Sequence, residues 1–281
     1  MKWLTLTLTN KFLSWLTSLR VLASFLVGMS LAAYLEERLL SYSSYIGNML
    51  QICEPYTYIT SEPKMFSVLM IGGLLLLSDA PFLTPLSQAE MLRIGRQKWI
   101  ISQIWYIFLA AFLYFFVLMF FTAIVGGAVC GVYFIGGWSD TLELLAFINP
   151  SSATTNFHIG FDFPEMLQAI GPTEAAVEGL FFQTIYLGLI GLAILCVNLY
   201  TRRNFGWVVG STAHFIGYLI YANSGFGMQT KYSLLCCVVP GFHYTSSLDM
   251  SGIRCFLILF TLVVGVIQIC KRNAHRIELL L

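Results

Sequence analysis

Apolar residues along this chain are gathered into six long runs, which short polar stretches separate. The runs are rich in Leu, Ile, Val and Phe and hold few charged residues. A helix needs roughly 20 apolar residues to cross the hydrocarbon core of a bilayer. The pattern therefore predicts six transmembrane helices, at about Val21–Leu35, Met65–Leu83, Trp99–Ile124, Ala175–Leu199, Phe205–Tyr221 and Ile253–Ile269.

Residues 1–20 have a different pattern, with Trp, Phe and Leu recurring mostly every three or four positions among Lys and Thr. This spacing predicts an amphipathic helix that lies at the membrane surface. A cleaved signal peptide is the alternative interpretation. Asn10 and Lys11 interrupt the apolar core that a signal peptide needs, and no small-residue cleavage site follows. The pattern favours a retained surface helix.

Two polar or mixed segments between the runs are long enough to have structure of their own. Residues 126–173 predict an external loop. Residues 223–251 contain the apolar run Leu234–Val239, which Pro240 and Gly241 end and which is too short to span a bilayer. Non-helical backbone is tolerated within a membrane where protein covers it. This run predicts an external re-entrant hairpin, and a loop lying flat on the outer surface is the alternative.

Composition places the chain in the membrane. Apolar residues make up 58% of the sequence and charged residues only 10%, whereas soluble domains carry about 25% charged residues. Too few charges are present to cover a soluble surface. The predicted class is an all-α integral membrane protein, with lipid as a partner and no nucleic acid.

The distribution of Lys and Arg predicts the orientation. With six spans and a cytoplasmic N-terminus, the cytoplasmic segments hold eleven basic residues and the external ones four. Basic residues concentrate on the cytoplasmic side of membrane proteins. Both termini are therefore predicted to be cytoplasmic. The four external basic residues are Arg38, Lys64, Lys231 and Arg254.

The stretch 86–99, LSQAEMLRIGRQKW, is a polar interruption between the second and third spans. Glu90, Arg93, Arg96 and Lys98 fall within nine residues of it, far above the average charge density of the chain. Charged groups of this kind make strong hydrogen-bonded contacts with a soluble partner. We call residues 86–99 the docking segment. The alternative is that these charges only anchor a helix end in the cytoplasm, and both interpretations can hold together.

No pattern in the sequence indicates an enzyme. The chain lacks the GxxxxGK[ST] phosphate loop and the HExxH zinc motif, and its seven cysteines follow no metal-binding spacing. We expect no catalytic residue, metal site or cofactor in this chain. An external disulfide from Cys53 to Cys236 or Cys237 is left open.

Ionisable residues within the apolar runs are few. His214 lies in the fifth run, beside a face of small residues formed by Gly206, Gly210 and Gly217. Such a face permits close helix packing. His214 is predicted either to bond across this helix interface or to line a translocation path. Asp79, at the end of the second run, is predicted to cap a turn or to pair with Arg93 or Arg96 of the docking segment.

This layout resembles the ABC-2 type permease, the six-span membrane subunit of some bacterial ATP-binding cassette transporters. The resemblance rests on the amphipathic start, the six spans, the charged stretch between spans two and three, and the re-entrant segment before the last span. It covers essentially the whole chain, although its motifs are loose. The RIGRQKW run at the start of span three is most similar to small bacterial members, and the 126–173 region is larger than in the simplest ones.

The resemblance implies a function and partners. Two permease subunits, most simply a homodimer, would form the pathway in the bacterial plasma membrane. Two ATPase subunits would bind ATP and Mg²⁺. Residues 1–20 would be the connecting helix and 87–98 the coupling helix, and the substrate would be an exported amphipathic or lipid-like molecule, drug or peptide. The alternatives are a non-transporting immunity or sensor protein that binds a peptide at its outer loops and, more weakly, an intramembrane enzyme.

Overall fold

A computed structural model describes residues 9, 11–12, 15, 18–82, 87–201, 204–224, 228–246 and 250–272. Nearly all regular structure within them is helical. The α-helices are α1 (Leu19–Ile46), α2 (Glu54–Ser61), α3 (Pro63–Leu77), α4 (Ser87–Ile94), α5 (Arg96–Val129), α6 (Asp140–Glu143), α7 (Pro164–Ala169), α8 (Pro172–Thr201), α9 (Gly206–Ser224), α10 (Pro240–His243) and α11 (Gly252–Arg272). Strands β1 (Leu50–Gln51) and β2 (Val132–Tyr133), two π-helical turns (Leu144–Ile148, Ala153–Phe157) and a 3-10 helix (Met228–Tyr232) complete it.

Four of these helices, α1, α5, α8 and α11, are long and apolar enough to cross a membrane. A fifth crossing results if α2 and α3, which meet at a bend of 100°, count as one broken span. Helix α9 has 19 residues, but Gly, His, Asn and Trp lower its hydropathy. The chain is thus a membrane-embedded helical protein, and the count of six spans stays a prediction.

Helix α1 is longer than the predicted first span. It continues past Leu35 for three further turns and ends at Ile46. Three consecutive charged residues follow Leu35 without ending the helix, because Glu36 turns inward while Glu37 and Arg38 are exposed. Gly47 then stops the helix with φ of 74°, a left-handed conformation that glycine adopts without steric cost.

Helix α8 lies at the centre of the molecule and is the most buried of the four long helices. It packs against α5, α9 and α11, and more lightly against α2 and α3. Helices α1 and α3 pack side by side on the other flank. The apolar core therefore forms around α8, because its apolar residues surround the whole helix rather than one stripe.

One end of the molecule is built from the long interhelical segments. Residues 39–63, which separate the first two predicted spans, include the end of α1, strand β1 and helix α2. Leu50 and Gln51 pair in parallel with Val132 and Tyr133. The buried Glu54 carboxylate accepts hydrogen bonds from the backbone N–H groups of Gln51 and Ser139. These contacts fasten the 126–173 region, which holds four short helical segments, to α2.

The predicted hairpin region folds into this same end. After the 3-10 helix, residues 234–238 form turns and α10 follows. The stretch from Leu235 to Phe242 is buried throughout, and Ser233 donates a 2.7 Å hydrogen bond to the Gly217 carbonyl of α9. Irregular backbone here is covered by protein, as a re-entrant segment requires. Its depth in a bilayer stays a prediction.

Candidate docking site and its supporting contacts

Helix α4 occupies most of the docking segment and has two distinct faces. Met91 is buried with 7% of its surface exposed, whereas Leu92 is 89% exposed and Arg93 is exposed beside it. The inward face holds α4 against the bundle. The outward face presents an apolar side chain next to a cation, a combination that is frequent at protein interfaces.

A single residue joins α4 to the long helix α5. Gly95 has φ of 85°, which favours glycine over other residues. Its N–H bonds the Met91 carbonyl at 2.9 Å, and its own carbonyl accepts from the Trp99 N–H at 3.1 Å. Trp99, one turn into α5, is fully buried. These two hydrogen bonds make the backbone hydrogen bonding continuous from α4 into α5.

The four predicted charges of the docking segment differ in their surroundings. Arg93 and Lys98 are exposed, and Glu90 and Arg96 are half-buried. The structure therefore leaves Arg93 and Lys98 accessible to a partner. Glu90 instead faces inward, where it interacts electrostatically with Lys11 of the N-terminal segment.

Lys11 is a buried cation that the sequence interpretation did not assign to this site. Only 1% of its surface is exposed, and its Nζ lies 5.5 Å from the Trp99 ring centroid and 5.3 Å from that of Tyr106. Aromatic faces at this distance stabilise a cation. Burial lowers the pKa of Lys11 to about 7, and the nearby Glu90 opposes part of that shift.

Aromatic side chains make further contacts between the N-terminal segment and α5. The Trp15 indole N–H donates to the Tyr106 hydroxyl. The Trp15 ring also packs edge-on against Phe12, and Tyr106 contacts Phe82 with ring centroids 4.5 Å apart. The described N-terminal residues therefore lie against the first turns of α5. In the sequence, only the grouping of Lys11, Phe12 and Trp15 within the amphipathic N-terminal pattern indicated these contacts.

Asp79 has a different partner from the predicted one. It forms a salt bridge with Arg20 at the start of α1, and not with Arg93 or Arg96. Helices α1 and α3 run antiparallel, so the beginning of one meets the end of the other. The Arg20 guanidinium also lies 5.7 Å from the Phe82 ring. The pair ties α1 to the chain that leads into the docking segment.

Two amide side chains hold the same region to the bundle. Gln103 of α5 donates to the Phe82 carbonyl and accepts from the Phe82 N–H, both at 3.3 Å. Asn198 of α8 donates to the Ala80 carbonyl and accepts from the Gly206 N–H at 2.6 Å. The approach to α4, the start of α5 and the α8–α9 turn are thereby fixed to one another.

His214 and the small-residue face lie at helix contacts. The His214 ring bonds the Tyr186 hydroxyl of α8 at 3.1 Å and the Ser67 carbonyl of α3 at 3.4 Å. A Cβ at Gly206 would lie 2.3 Å from the Ile194 carbonyl oxygen, and one at Gly210 would lie 2.8 Å from Ile194 Cγ1. Gly217 faces Ser233 and Leu235 instead. His214 therefore bonds across helix contacts and also lines a groove between α3 and α9. Its role in a translocation path stays a prediction.

The cysteines do not form the disulfide that the sequence left open. All seven are free, and Cys237 lies beside Cys255 rather than Cys53. Cys53 hydrogen-bonds through its backbone to Gln51, at the β1 end. Cys53 is therefore bonded to neither Cys236 nor Cys237.

His243 fastens the irregular segment to α8. Its Nδ1 lies 2.6 Å from the Glu178 carboxylate and its Nε2 lies 3.1 Å from the Cys237 carbonyl. The carboxylate and the carbonyl oxygen both accept hydrogen bonds, so the ring bridges α8 and the irregular segment. Tyr244 donates to the second Glu178 oxygen at 2.7 Å.

The geometry defines a membrane-embedded helical protein with a compact, partly exposed charged helix at one end. In the described part of the chain no group of three or more His, Cys, Asp and Glu residues could hold a metal ion. No protein-family model, curated protein or solved structure matches the chain.

Proposed function

We propose that the chain is the permease subunit of an ATP-driven ABC-2 type transporter that exports an amphipathic, lipid-like, drug or peptide substrate. The observation that carries the proposal is helix α4, with Leu92 and Arg93 facing outward and Gly95 as its only link to α5. A short, exposed helix joined directly to a span suits a coupling helix. ATP and Mg²⁺ belong to two copies of a partner ATPase.

The contacts around α4 explain how force would enter the membrane part. The N-terminal residues press on Trp99 and Tyr106, and Asn198 and Gln103 hold the flanking chain. A push on α4 therefore acts on α5 and on the N-terminal segment together. This supports the roles of coupling helix for α4 and of connecting helix for residues 1–20.

The proposed topology has six spans in a bacterial plasma membrane. It counts the four long helices, the bent α2–α3 pair and α9 as crossings. Both termini and α4 then lie in the cytoplasm, where most Lys and Arg are concentrated. The second permease subunit is a copy of this chain in the simplest assembly.

The test is co-purification with a candidate ATPase subunit after charge reversal. The Arg93→Glu, Lys98→Glu double variant is expected to lose most of the ATPase, because a partner surface that complements these two exposed cations would then meet repulsion. Lys271→Glu is the matched control: it reverses an exposed charge at the end of α11, on the same predicted side. Unchanged binding and export in the double variant would refute the docking role of these residues.

A non-transporting immunity or sensor protein is the second candidate. It is favoured by the folded outer end, where β1 and β2 pair and the adjacent Phe134 and Ile135 are exposed, so that they offer an apolar surface to a peptide. An ATPase-inactive complex separates the candidates. Loss of protection from an external peptide in that complex supports transport, and persistence of protection supports the sensor.

A further inference from the structure

A charged cavity opens near the outer end of α1. It has a volume of about 490 Å³ and lies between α1, the α2–α3 bend and residues 158–162. Two cations, Arg38 and Lys64, and two anions, Glu62 and Asp162, line it. Within the described part of the chain, the structure joins none of these four side chains to another in a salt bridge. Their charges remain available to a ligand that carries both signs.

The walls of this cavity suit a quaternary or primary ammonium group. Tyr34 and Tyr58 line it along with the charged residues, and tyrosine faces attract cations. Arg38 also donates to the His158 carbonyl at 3.4 Å, which holds residues 158–162 against α1. The cavity volume falls within the range of about 300–1,000 Å³ that small-molecule sites occupy.

A second, mostly apolar groove adjoins the cavity. It has a volume of about 630 Å³ between α3 and α9, and it shares Lys64 and Val68 with the charged cavity. From there it runs past Ile71 and Phe215, which are 53% and 56% exposed. The shared residues make the two spaces neighbours across one turn of α3, so a single elongated molecule can occupy both.

We propose that the cavity and the groove together bind a zwitterionic amphiphile of the phosphocholine type, with one apolar chain. The phosphate lies near Arg38 and Lys64, and the ammonium lies near Glu62, Asp162 and the tyrosines. The chain follows the α3–α9 groove. The proposal rests on the proposed function only in calling this molecule a transport substrate, because binding itself requires no ATPase.

The experiment uses the purified full chain in maltoside micelles, without an ATPase. The probe is a lysophosphatidylcholine with a photoreactive group on its chain, and mass spectrometry locates the cross-links. We expect cross-links in α3 around Ile71 and in α9 around Phe215. Dodecylphosphocholine should compete more strongly than dodecyl phosphate, dodecyltrimethylammonium or free phosphocholine.

Two variants and two controls test the charged cavity. Asp162→Asn and Lys64→Gln should each weaken labelling about two- to fivefold, the range expected when one partly exposed charge contact is lost. Asp140→Asn and Lys231→Gln remove charges outside the cavity and should label like the parent chain. Melting temperatures of all four confirm that they are folded.

Several results would overturn the site. They are cross-links spread evenly over the exposed face of α11, equal competition by singly charged amphiphiles, or full labelling of both cavity variants. Equal competition by free phosphocholine would show that the α3–α9 groove does not bind the apolar chain. Because no ATPase is present, these failures leave the proposed coupling role of α4 untouched, and failure of the Arg93 test leaves this binding site untouched.

Discussion

Burial destabilises the positive charge of Lys11 more than its neighbours stabilise it. Its side chain is buried against Trp99 and Tyr106, and burial brings its pKa from 10.5 down to about 7. The folded chain therefore releases a proton that the unfolded chain keeps between pH 7 and 10.5. Over that window stability rises with pH, and the cost of burying the charge is fully present below pH 7.

We therefore expect the Lys11→Met variant to depend less on pH than the parent chain. Between pH 7 and 8.5 the parent should gain on the order of 2 kcal/mol from this group, since one linked proton contributes about 1.4 kcal/mol per pH unit. The measurement is the melting temperature of both proteins in detergent across that range. Lys98→Met, which removes an exposed lysine at the start of α5, should retain the parent slope. An unchanged slope in Lys11→Met would contradict this account.

Residue-scale contacts are the part of the site that the sequence predicted least well. The charged run from Glu90 to Lys98 stood out because of its local density. The Lys11–Trp99 contact and the Arg20–Asp79 pair join positions far apart in the chain, and no local pattern reports such pairings. Sequence proximity instead suggested Arg93 or Arg96 as the partner of Asp79. The actual partner is Arg20, because antiparallel packing of α1 and α3 brings the start of α1 next to the end of α3.

At the scale of elements, α8 and the irregular segment before α11 are held together by one carboxylate. Glu178 bonds both His243 and Tyr244. In Glu178→Gln, the side chain is neutral and has a single acceptor oxygen, so the charge-assisted contacts to His243 and Tyr244 are lost. We expect residues 237–245 to exchange amide hydrogens about tenfold faster, because hydrogen bonds to a charged group contribute about 1.5–3 kcal/mol.

Hydrogen–deuterium exchange of the peptide covering 237–245 measures this effect. Glu174→Gln is the matched control, since Glu174 lies one turn earlier on α8, is exposed and accepts a hydrogen bond from the local Gly171 N–H. Exchange that stays at the parent rate in Glu178→Gln would show that apolar packing of Leu235–Phe242 alone holds the segment.

Elements with a long apolar pattern could be predicted from the sequence, and those set by tertiary packing could not. The runs behind α5, α8 and α11 correspond to helices at nearly the predicted positions. The extra turns of α1 depend on the protein interior accepting Glu36, and α2 depends on partners for Glu54 that lie 85 positions away at Ser139. Neither condition is visible in the local residue pattern.

At the scale of the whole molecule, the two ends have different polar groups. Lys11, Arg20, Asp79 and the docking segment gather at one end, and the cavity residues gather with the outer segments at the other. Which of the two ends faces the cytoplasm stays a prediction from the Lys and Arg distribution. Helix α9 is the element of the six-span topology that most needs a direct test, because its 19 residues are long enough to cross but it is not one of the four helices that are also apolar enough.

Cysteine labelling of the two ends of α9 decides whether it crosses. Asn204 precedes the helix and Asn223 lies near its end, and both are exposed. In intact cells, a membrane-impermeant maleimide should label Asn223→Cys, whereas Asn204→Cys should react only after permeabilisation. Thr155→Cys and Lys98→Cys serve as the external and cytoplasmic controls, with the parent chain as the baseline for its own cysteines. Labelling of both α9 positions from one side would mean that α9 turns back within the membrane, which would place α11 in the opposite direction and remove the cytoplasmic C-terminus from the topology.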